Sequence, residues 1–499
     1  MRAFLRRFLT APPFDFYQLG LIVALLGLLA WNVGTPVLHV WDEARLAVNA
    51  AEMLRSGDWL VVRYAGQPDL WNTKPPLLIW LQAGSLQVLG YSMWAFRLPS
   101  VLAALGTAWL LYRFGRYTLS SRFVGSFAAL ILASSPGFNG THVARFGDYD
   151  ALLCLALTAA ALSWYRYAQQ RQAQQLWLGA GWFALALLTK SAAALLLLPC
   201  LAGGLLVQPA GRWVFGQWRT YGAIALAFGP LVLFYGLREA SAPGYLAATW
   251  FNDWYGRLSQ RIVTVNYPWW IYFQRLLFPG LLTWVLVLPA GILVGIRASS
   301  GATAKHRFAR FASVYSLLFL GLVSVARTRL PWYSAPVYPM GALLCALGLE
   351  QLAQHARRTW HWPRPVVAGL LALAVAGPAA LLLHHEWGRW EAEKTDSQLR
   401  YGYLLPQVLA ARPGLRALTI ILRENEYDAP LLFYAAALHE QGIQPVIVKA
   451  TAGTLPPLQP GRQVLICDEP LQRYVLQHYE TRPLAAIPPS LFITILGRK

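Results

Sequence analysis

WDEARLAVNAAEMLRSGDWLVVRYAGQPDLWNTKPPLLIWLQA, residues 41–83, lies between an apolar run at Tyr17–Leu38 and another near 95–114. Read as a helix, residues 42–56 put Asp42, Arg45, Asn49 and Glu52 on one stripe, spaced three, four and three apart, with Ala47, Ala50 and Leu54 on another face. The plain alternative is an amphipathic helix on a membrane surface with a solvated polar side. Two carboxylates, Asp42 and Glu43, directly after an apolar run have no structural task beside lipid. Such a pair can orient or deprotonate a hydroxyl, or hold a metal. Further on, Pro75-Pro76 opens a second helix, because a missing N–H costs nothing in the first turn. Lys74 is thereby set near a helix N-terminus, where an ammonium and backbone N–H groups favour an anion; a snorkelling lysine is the alternative.

The surroundings of this stretch are those of a membrane protein. Of 499 residues, 57% are hydrophobic and 13% charged, and the mean hydropathy is +0.41. Soluble domains carry about 25% charged residues, so this chain is polytopic. The net charge of +20 does not point to nucleic acid, since the Lys and Arg residues sit in short runs between apolar stretches. Cys154, Cys200 and Cys345 fall in apolar stretches and Cys467 stands alone, which excludes a disulfide framework or zinc knuckle. The first apolar run is about 20 residues, long for a cleavable signal and suited to a permanent span.

Charge sets the topology. Arg2, Arg6 and Arg7 place the N-terminus inside and Asp42 outside. If the short run 75–91 lies in the interface rather than crossing, the basic loops at Arg113/Arg116/Arg122, Arg166/Arg171, Arg212/Arg219, Arg297–Arg310 and Arg357–Arg364 all face the cytoplasm. Eleven spans follow, near 17–38, 95–114, 121–138, 148–168, 176–189, 191–208, 219–238, 270–296, 310–326, 332–352 and 364–385, in a range of about 11–13. The pair 176–189 and 191–208 is short enough to be broken or tilted. Residues 1–385, including the outer loop 39–94 with its interfacial helices, form the membrane domain. Residues 386–499 change in composition and alternate β-rich runs (418–422, 445–448, 463–467, 491–496) with helical ones (429–441, 471–479), giving a small extracytoplasmic α/β domain. It has no GxGxxG or P-loop.

Other polar residues fall on the same outer face. His142, Arg145, Asp148 and Asp150 open one span, and charges at a helix mouth are costly unless paired or wet. A mutual ion pair of Arg145 with one Asp is the plain reading. Lys190 sits between two apolar stretches, Arg327, Arg329 and Tyr333 precede another span, and the outer loop 239–269 adds Trp250, Asn252, Asp253, Arg257 and Arg261. Cations over an apolar groove suit a phosphate on a lipid tail.

Residues 41–83, followed in order by RLPSVLAAL, ARFGDYDALL, LLTKSA and RTRLPWYSAPVYP, resemble the lipid A aminoarabinose transferase and protein O-mannosyltransferase-like branch of the GT-C glycosyltransferases. The likeness covers most of residues 15–350 and is specific in the first loop. It implies inverting transfer of a hexosyl or pentosyl group from a polyprenyl-phosphate donor to a lipid, glycan or protein acceptor, at the periplasmic side of a bacterial inner membrane, by a monomer. It further implies that Asp42, Glu43 and Asp150 are catalytic. Arg45, Lys74, Asp148, Lys190, Arg257, Arg327, Arg329 and Tyr333 would bind substrate, with Lys74 on the donor phosphate and Tyr333 beside it. Relatives carry Lys before the L-P-x-Y segment where this chain has Arg327 and Arg329. Some relatives bind a divalent metal; Asp42, Glu43 and His142 have the donor atoms, but no metal-ligand spacing singles them out. Competing readings are a transporter or flippase of lipid-linked sugars, which predicts charges at mid-membrane, and an assembly subunit that uses the C-terminal domain to bind a partner.

Overall fold

The protein was examined as a computed structural model, which describes residues 16–261, 267–297, 303–394, 396, 399–487 and 490–499. The N-terminal arginines 2, 6 and 7 lie outside the described residues. It is a multi-span helical membrane protein with a small C-terminal sheet. Among the described residues six helices are long and apolar enough to cross a bilayer: Met93–Thr118, Tyr149–Gln170, Ala173–Leu195, Trp218–Ser241, Ala304–Val325 and Arg364–Glu393. A seventh crossing arises if Ile271–Gly280 and Leu282–Ile296, bent by 112°, count as one.

The difference from eleven is one of length. Phe16–Leu29, Arg122–Ser134 and Leu197–Leu206 fall where spans were expected but have only 14, 13 and 10 residues. At about 1.5 Å per residue they reach roughly 20 Å or less, against a hydrocarbon core of about 30 Å. Tyr338–Arg358, buried from Tyr338 through Glu350, occupies the place of the expected span 332–352. The expected pair around Lys190 is broken where the sequence placed the break: the helical stretch Ala173–Leu195 is interrupted at Lys190 itself (φ −155°, ψ 80°), with Leu197–Leu206 following.

The loop 39–94 folds into two helices and a hairpin. Helix Asp42–Ser56 has Asp42 and Glu43 in its first turn, where the helix dipole favours acids. It ends at Gly57, whose left-handed backbone lets its N–H close on the Met53 carbonyl at 3.0 Å. Its polar stripe is not a solvated face: Asn49 and Glu52 are buried, and Asp42 and Arg45 are partly buried. The turn between β1 (Arg63–Tyr64) and β2 (Gln67–Pro68) uses Ala65 and Gly66, both at positive φ, and Glu52 accepts from the Gly66 N–H at 3.0 Å. Helix Leu77–Leu89 follows directly on Pro75-Pro76.

The C-terminal sheet comprises β3 (Ala417–Arg423), β4 (Gln444–Ala450), β5 (Gln463–Ile466), β6 (Tyr479–Ile487) and β7 (Ser490–Arg498), ordered β4-β3-β5-β7-β6. β3 pairs parallel with β4 and β5, while β7 runs antiparallel to β5 and β6. The buried run Leu418–Leu422 suits β3 to an interior place in the sheet, between β4 and β5. The parallel β3 and β4 are joined through helix Ala429–Glu440, as a parallel crossover requires. That helix packs on the outer-loop helix Asp42–Ser56, so that Ala429 and Phe433 share a core with Leu46, Ala50 and Phe96. The 30-residue helix Arg364–Glu393 runs through the expected boundary at 385/386 without a loop.

Candidate active site

A cavity of about 370 Å³ opens between the outer loop and the helix mouths. Its polar wall carries Asp42, Arg45, Lys74, Asp148, Asp150, Lys190, Asp253, Arg257 and Tyr333. Its other wall is apolar, with Leu153, Leu195, Leu196, Phe319, Leu322 and Val323. Of the eleven residues singled out from sequence, eight therefore line one cavity, and Glu43, Arg327 and Arg329 do not.

Each polar residue is held by its element. Arg45 and Asp69 form a two-pronged pair, both contacts at 2.8 Å. Asp69 also accepts from the Asn49 amide at 3.1 Å, and Asn72 donates to Asn49 at 2.9 Å and to the Tyr149 hydroxyl at 3.1 Å. Burial alone would raise the Asp69 carboxyl, but Arg45 and the amides hold it below the ordinary carboxylate range. This network fixes the strand of chain that ends at Lys74. The Lys74 ammonium lies 3.8 Å from the Asp253 carboxylate and 5.4 Å over the Tyr149 ring. Asp253 accepts from the Thr73 hydroxyl at 2.7 Å, and the same carboxylate lies 3.8 Å from Arg257. Arg257 donates to the Tyr333 hydroxyl at 2.7 Å and to the Asn252 carbonyl at 2.6 Å.

The break at Lys190 explains how a lysine inside an apolar helix reaches this wall. Its ammonium meets both oxygens of Asp150, at 3.0 and 2.9 Å, and sits 5.1 Å over the Tyr333 ring. Asp148 caps helix Tyr149–Gln170 by accepting from the Tyr149 N–H at 2.7 Å, and its other oxygen meets His142 Nδ1 at 2.5 Å. His142 stacks on Trp332, with ring centroids 3.7 Å apart. Burial would lower the His142 pKa, but the Asp148 carboxylate raises it above the ordinary histidine value; the same contact holds Asp148 below its own, against burial.

Glu43 departs from the expectation of a catalytic role at the cavity wall. Its side chain turns away into a buried pair with Arg97, at 2.7 and 2.8 Å, and accepts from the backbone N–H of Gly147 at 2.8 Å and of His39 at 2.9 Å. All its capacity is used, so it has no oxygen free for a metal. Gly147 is required there, since a Cβ would lie 2.2 Å from the Phe96 ring. Arg97 spends its remaining donors on the carbonyls of Val33, Pro36 and Val37, each at 2.8 Å. Arg329 donates to the Ser324 and Tyr267 carbonyls, both at 3.1 Å, and Arg327 is tied by its backbone N–H to Leu258. Both arginines brace the segment before Tyr333 rather than line the cavity. Arg145 pairs with Glu386 at 3.5 Å, not with an aspartate of its own loop.

Asp42, His142 and Asp148 each offer a ligand atom, all within 4.8 Å of one another. These are oxygen and nitrogen donors suited to a divalent cation, although a cation would compete with the His142–Asp148 bond. Sequence reasoning passed over Asp69 and gave Asp253 no role. Asp69 carries no signal beyond lying five residues before Lys74, and Asp253 stood in a loop whose pairing is visible only in three dimensions.

Residues 73–235 match the dolichyl-phosphate-mannose-protein mannosyltransferase family. The fold is shared with ArnT from Cupriavidus metallidurans, solved bound to undecaprenyl phosphate: the TM-score is 0.68 at 16% identity, covering 96% of this chain and 98% of that one. By sequence the chain is similar to the undecaprenyl phosphate-alpha-4-amino-4-deoxy-L-arabinose arabinosyl transferases of Edwardsiella ictaluri (28% identical, 72% of this chain) and Pseudomonas fluorescens (26%, 68% of this chain). The matched region spans 64% and 59% of the length of those two proteins.

Proposed function

We propose that this protein is an integral-membrane glycosyltransferase that moves a sugar from a polyprenyl-phosphate donor to a lipid, glycan or protein acceptor, with inversion, at the extracytoplasmic face of the membrane. The observation that carries the reading is a cavity with four cations and four carboxylates on one wall and leucines and phenylalanine on the other. A lipid phosphate satisfies both walls at once, its head beside the cations and its first isoprene units along the apolar side. The names of the arabinosyl transferase relatives agree with such a donor.

In this reading the acceptor oxygen attacks the anomeric carbon as the bond from that carbon to the phosphate oxygen breaks. The electron pair leaves on the phosphate. Lys74, Arg257 and the Tyr333 hydroxyl neutralise the growing charge, which is where preorganised donors lower a barrier most. Asp42, half-exposed at the rim, orients an acceptor hydroxyl and takes its proton; an acceptor phosphate needs no base. Asp150, neutralised by Lys190, holds that lysine and the Tyr333 ring together. A divalent cation at Asp42, His142 and Asp148 would add further positive charge at the rim. The N-terminal side of the first span faces the cytoplasm and the C-terminal domain the periplasm, as the distribution of basic loops implies.

The test is transfer from undecaprenyl-phosphate aminoarabinose in membranes holding wild type, Asp42→Asn or Lys74→Ala. Both variants should accumulate normally and lose transfer by about 10²–10³-fold, as when one charge-stabilising donor is removed. Wild-type rates in either variant overturn the assignment.

A further inference from the structure

Trp41 stands directly before Asp42, is 62% exposed, and has a backbone at φ 72°, ψ −113°, a region L-residues seldom adopt. Strain of this kind persists only where the surroundings enforce it, and it gathers at ligand sites. Here the enforcing group comes from the C-terminal domain. The Tyr427 ring stacks on the indole at 4.8 Å between centroids and 23° between planes, and its hydroxyl donates to the Trp41 carbonyl at 3.2 Å. Packing does not account for the pair, because the indole remains mostly in water.

Polar groups border this step. Arg45, whose backbone N–H donates to the Trp41 carbonyl at 2.9 Å and whose guanidinium lies 4.2 Å over the Tyr64 ring, also lines the cavity. Asp428, next in sequence, accepts from the Tyr64 hydroxyl at 2.7 Å and pairs with Lys449 at 2.8 Å. An aromatic face edged by a carboxylate, a guanidinium and a hydroxyl fits a sugar ring. Its C–H face covers the apolar surface and its hydroxyls exchange hydrogen bonds with the edge. A peptide hydroxyl would use the edge and leave the indole bare.

Resting on the transferase reading above, we propose that Trp41 and Tyr427 form a subsite for a pyranose ring of the acceptor, built jointly by the outer loop and the C-terminal domain. Asp42 lines the cavity that holds the phosphate-binding cations, and Trp41, bonded to it through the backbone, does not line that cavity. A ring on Trp41 would lie beside Asp42 without entering the donor cavity. The acceptor class is a glycan or glycolipid head group, and the C-terminal domain takes part in choosing it.

The experiment uses the full chain in lipid nanodiscs and a soluble probe, a β-linked glucosamine disaccharide without acyl chains, observed by saturation-transfer NMR. Wild type should transfer saturation to the ring protons. Trp41→Ala and Tyr427→Ala should weaken that binding about tenfold or more, and Tyr427→Phe, which keeps the ring, should restore most of it. Tyr427→Ala lies on a separate part of the chain and guards against a folding defect at Trp41. No disaccharide signal in wild type, an unchanged signal in both alanine variants, or stronger binding of a serine peptide that displaces the sugar overturns the inference. Undecaprenyl phosphate binding, measured on the same samples, reports on the donor site, so failure of the transferase reading appears there and failure of the subsite in the glycan signal.

Discussion

Replacing Glu43 by Gln separates it from its neighbour Asp42. Glu43 accepts four hydrogen bonds: two from Arg97 at 2.7 and 2.8 Å, one from the Gly147 N–H at 2.8 Å and one from the His39 N–H at 2.9 Å. Gln keeps one acceptor oxygen and turns an amide N–H₂ toward donors, so at least one of the four contacts becomes donor against donor. Arg97, 1% exposed, is left charged in a dry site. Removing one partner of a buried ion pair costs about 3–5 kcal/mol, a large share of a stability of about 5–15 kcal/mol. Thermal unfolding in detergent should show this loss for Glu43→Gln and for Arg97→Met. The double variant, which leaves no unpaired charge, should lose much less than the sum, and that coupling energy is the measure of the pair. Asp42→Asn should unfold like wild type, because the Asp42 carboxylate accepts no hydrogen bond among the described residues, yet lose transfer. If Glu43→Gln unfolds like wild type and still loses transfer, the carboxylate acts chemically and the structural assignment is refuted.

The His142–Asp148 pair gives stability a pH window. His142 is raised above its ordinary value of 6.5, so its contribution is complete below about 6.5 and disappears as pH climbs through the higher folded value. Asp148 is lowered below 3.8, so its contribution is complete above that value and disappears as pH falls through the folded one. His142→Gln should flatten the alkaline side of a plot of melting temperature against pH; an unchanged plot removes the pair as a cause. Tyr333→Phe removes the hydroxyl that lies 2.7 Å from Arg257 and that donates to the phosphate in the transferase reading; a hydrogen bond to a charged group is worth about 1.5–3 kcal/mol, so kcat/KM should fall about ten- to a hundredfold. Lys190→Ala leaves Asp150, its side chain 2% exposed, without its partner, at a cost of about 3–5 kcal/mol; Lys190→Ala combined with Asp150→Asn should recover most of it, as read by unfolding in detergent.

What the sequence disclosed followed the range of the forces involved. The fold class rests on composition and on runs of apolar residues, which are properties of the chain itself. The helix at 42–56 and its neighbour after Pro75-Pro76 rest on local periodicity and local sterics. Lys190 was visible as a charge between two short apolar stretches, and the helix does break there, but its partner Asp150, 40 residues away, was not visible. Glu43 looked equivalent to Asp42 because adjacent acids in a first turn are indistinguishable until rotation about the helix is known. Rotation points one at the cavity and the other at Arg97, 54 residues on. Arg327 and Arg329 shared a charge type and a face with the cavity cations, but neither lines the cavity, and the Arg329 guanidinium donates to main-chain carbonyls instead. Helix length was the part of each expected span that hydropathy windows blur, so several expected spans are short or bent helices.

The cavity wall holds Asp42, Asp148, Asp150 and Asp253 against Arg45, Lys74, Lys190 and Arg257, a formal sum of zero. A small soluble anion gains little from such a wall, because every cation already has a counter-charge and admission means eviction. Asp253 is the one to be evicted, since its carboxylate stands 3.8 Å from both Lys74 and Arg257, looser than the 2.8–3.0 Å pairs elsewhere. On the transferase reading, the energy for that exchange would come from the hydrocarbon side, through isoprene units leaving bilayer for leucine and phenylalanine. Neutrality would then act as a filter, rejecting free phosphate and sugar phosphates while admitting the same head group on a long tail.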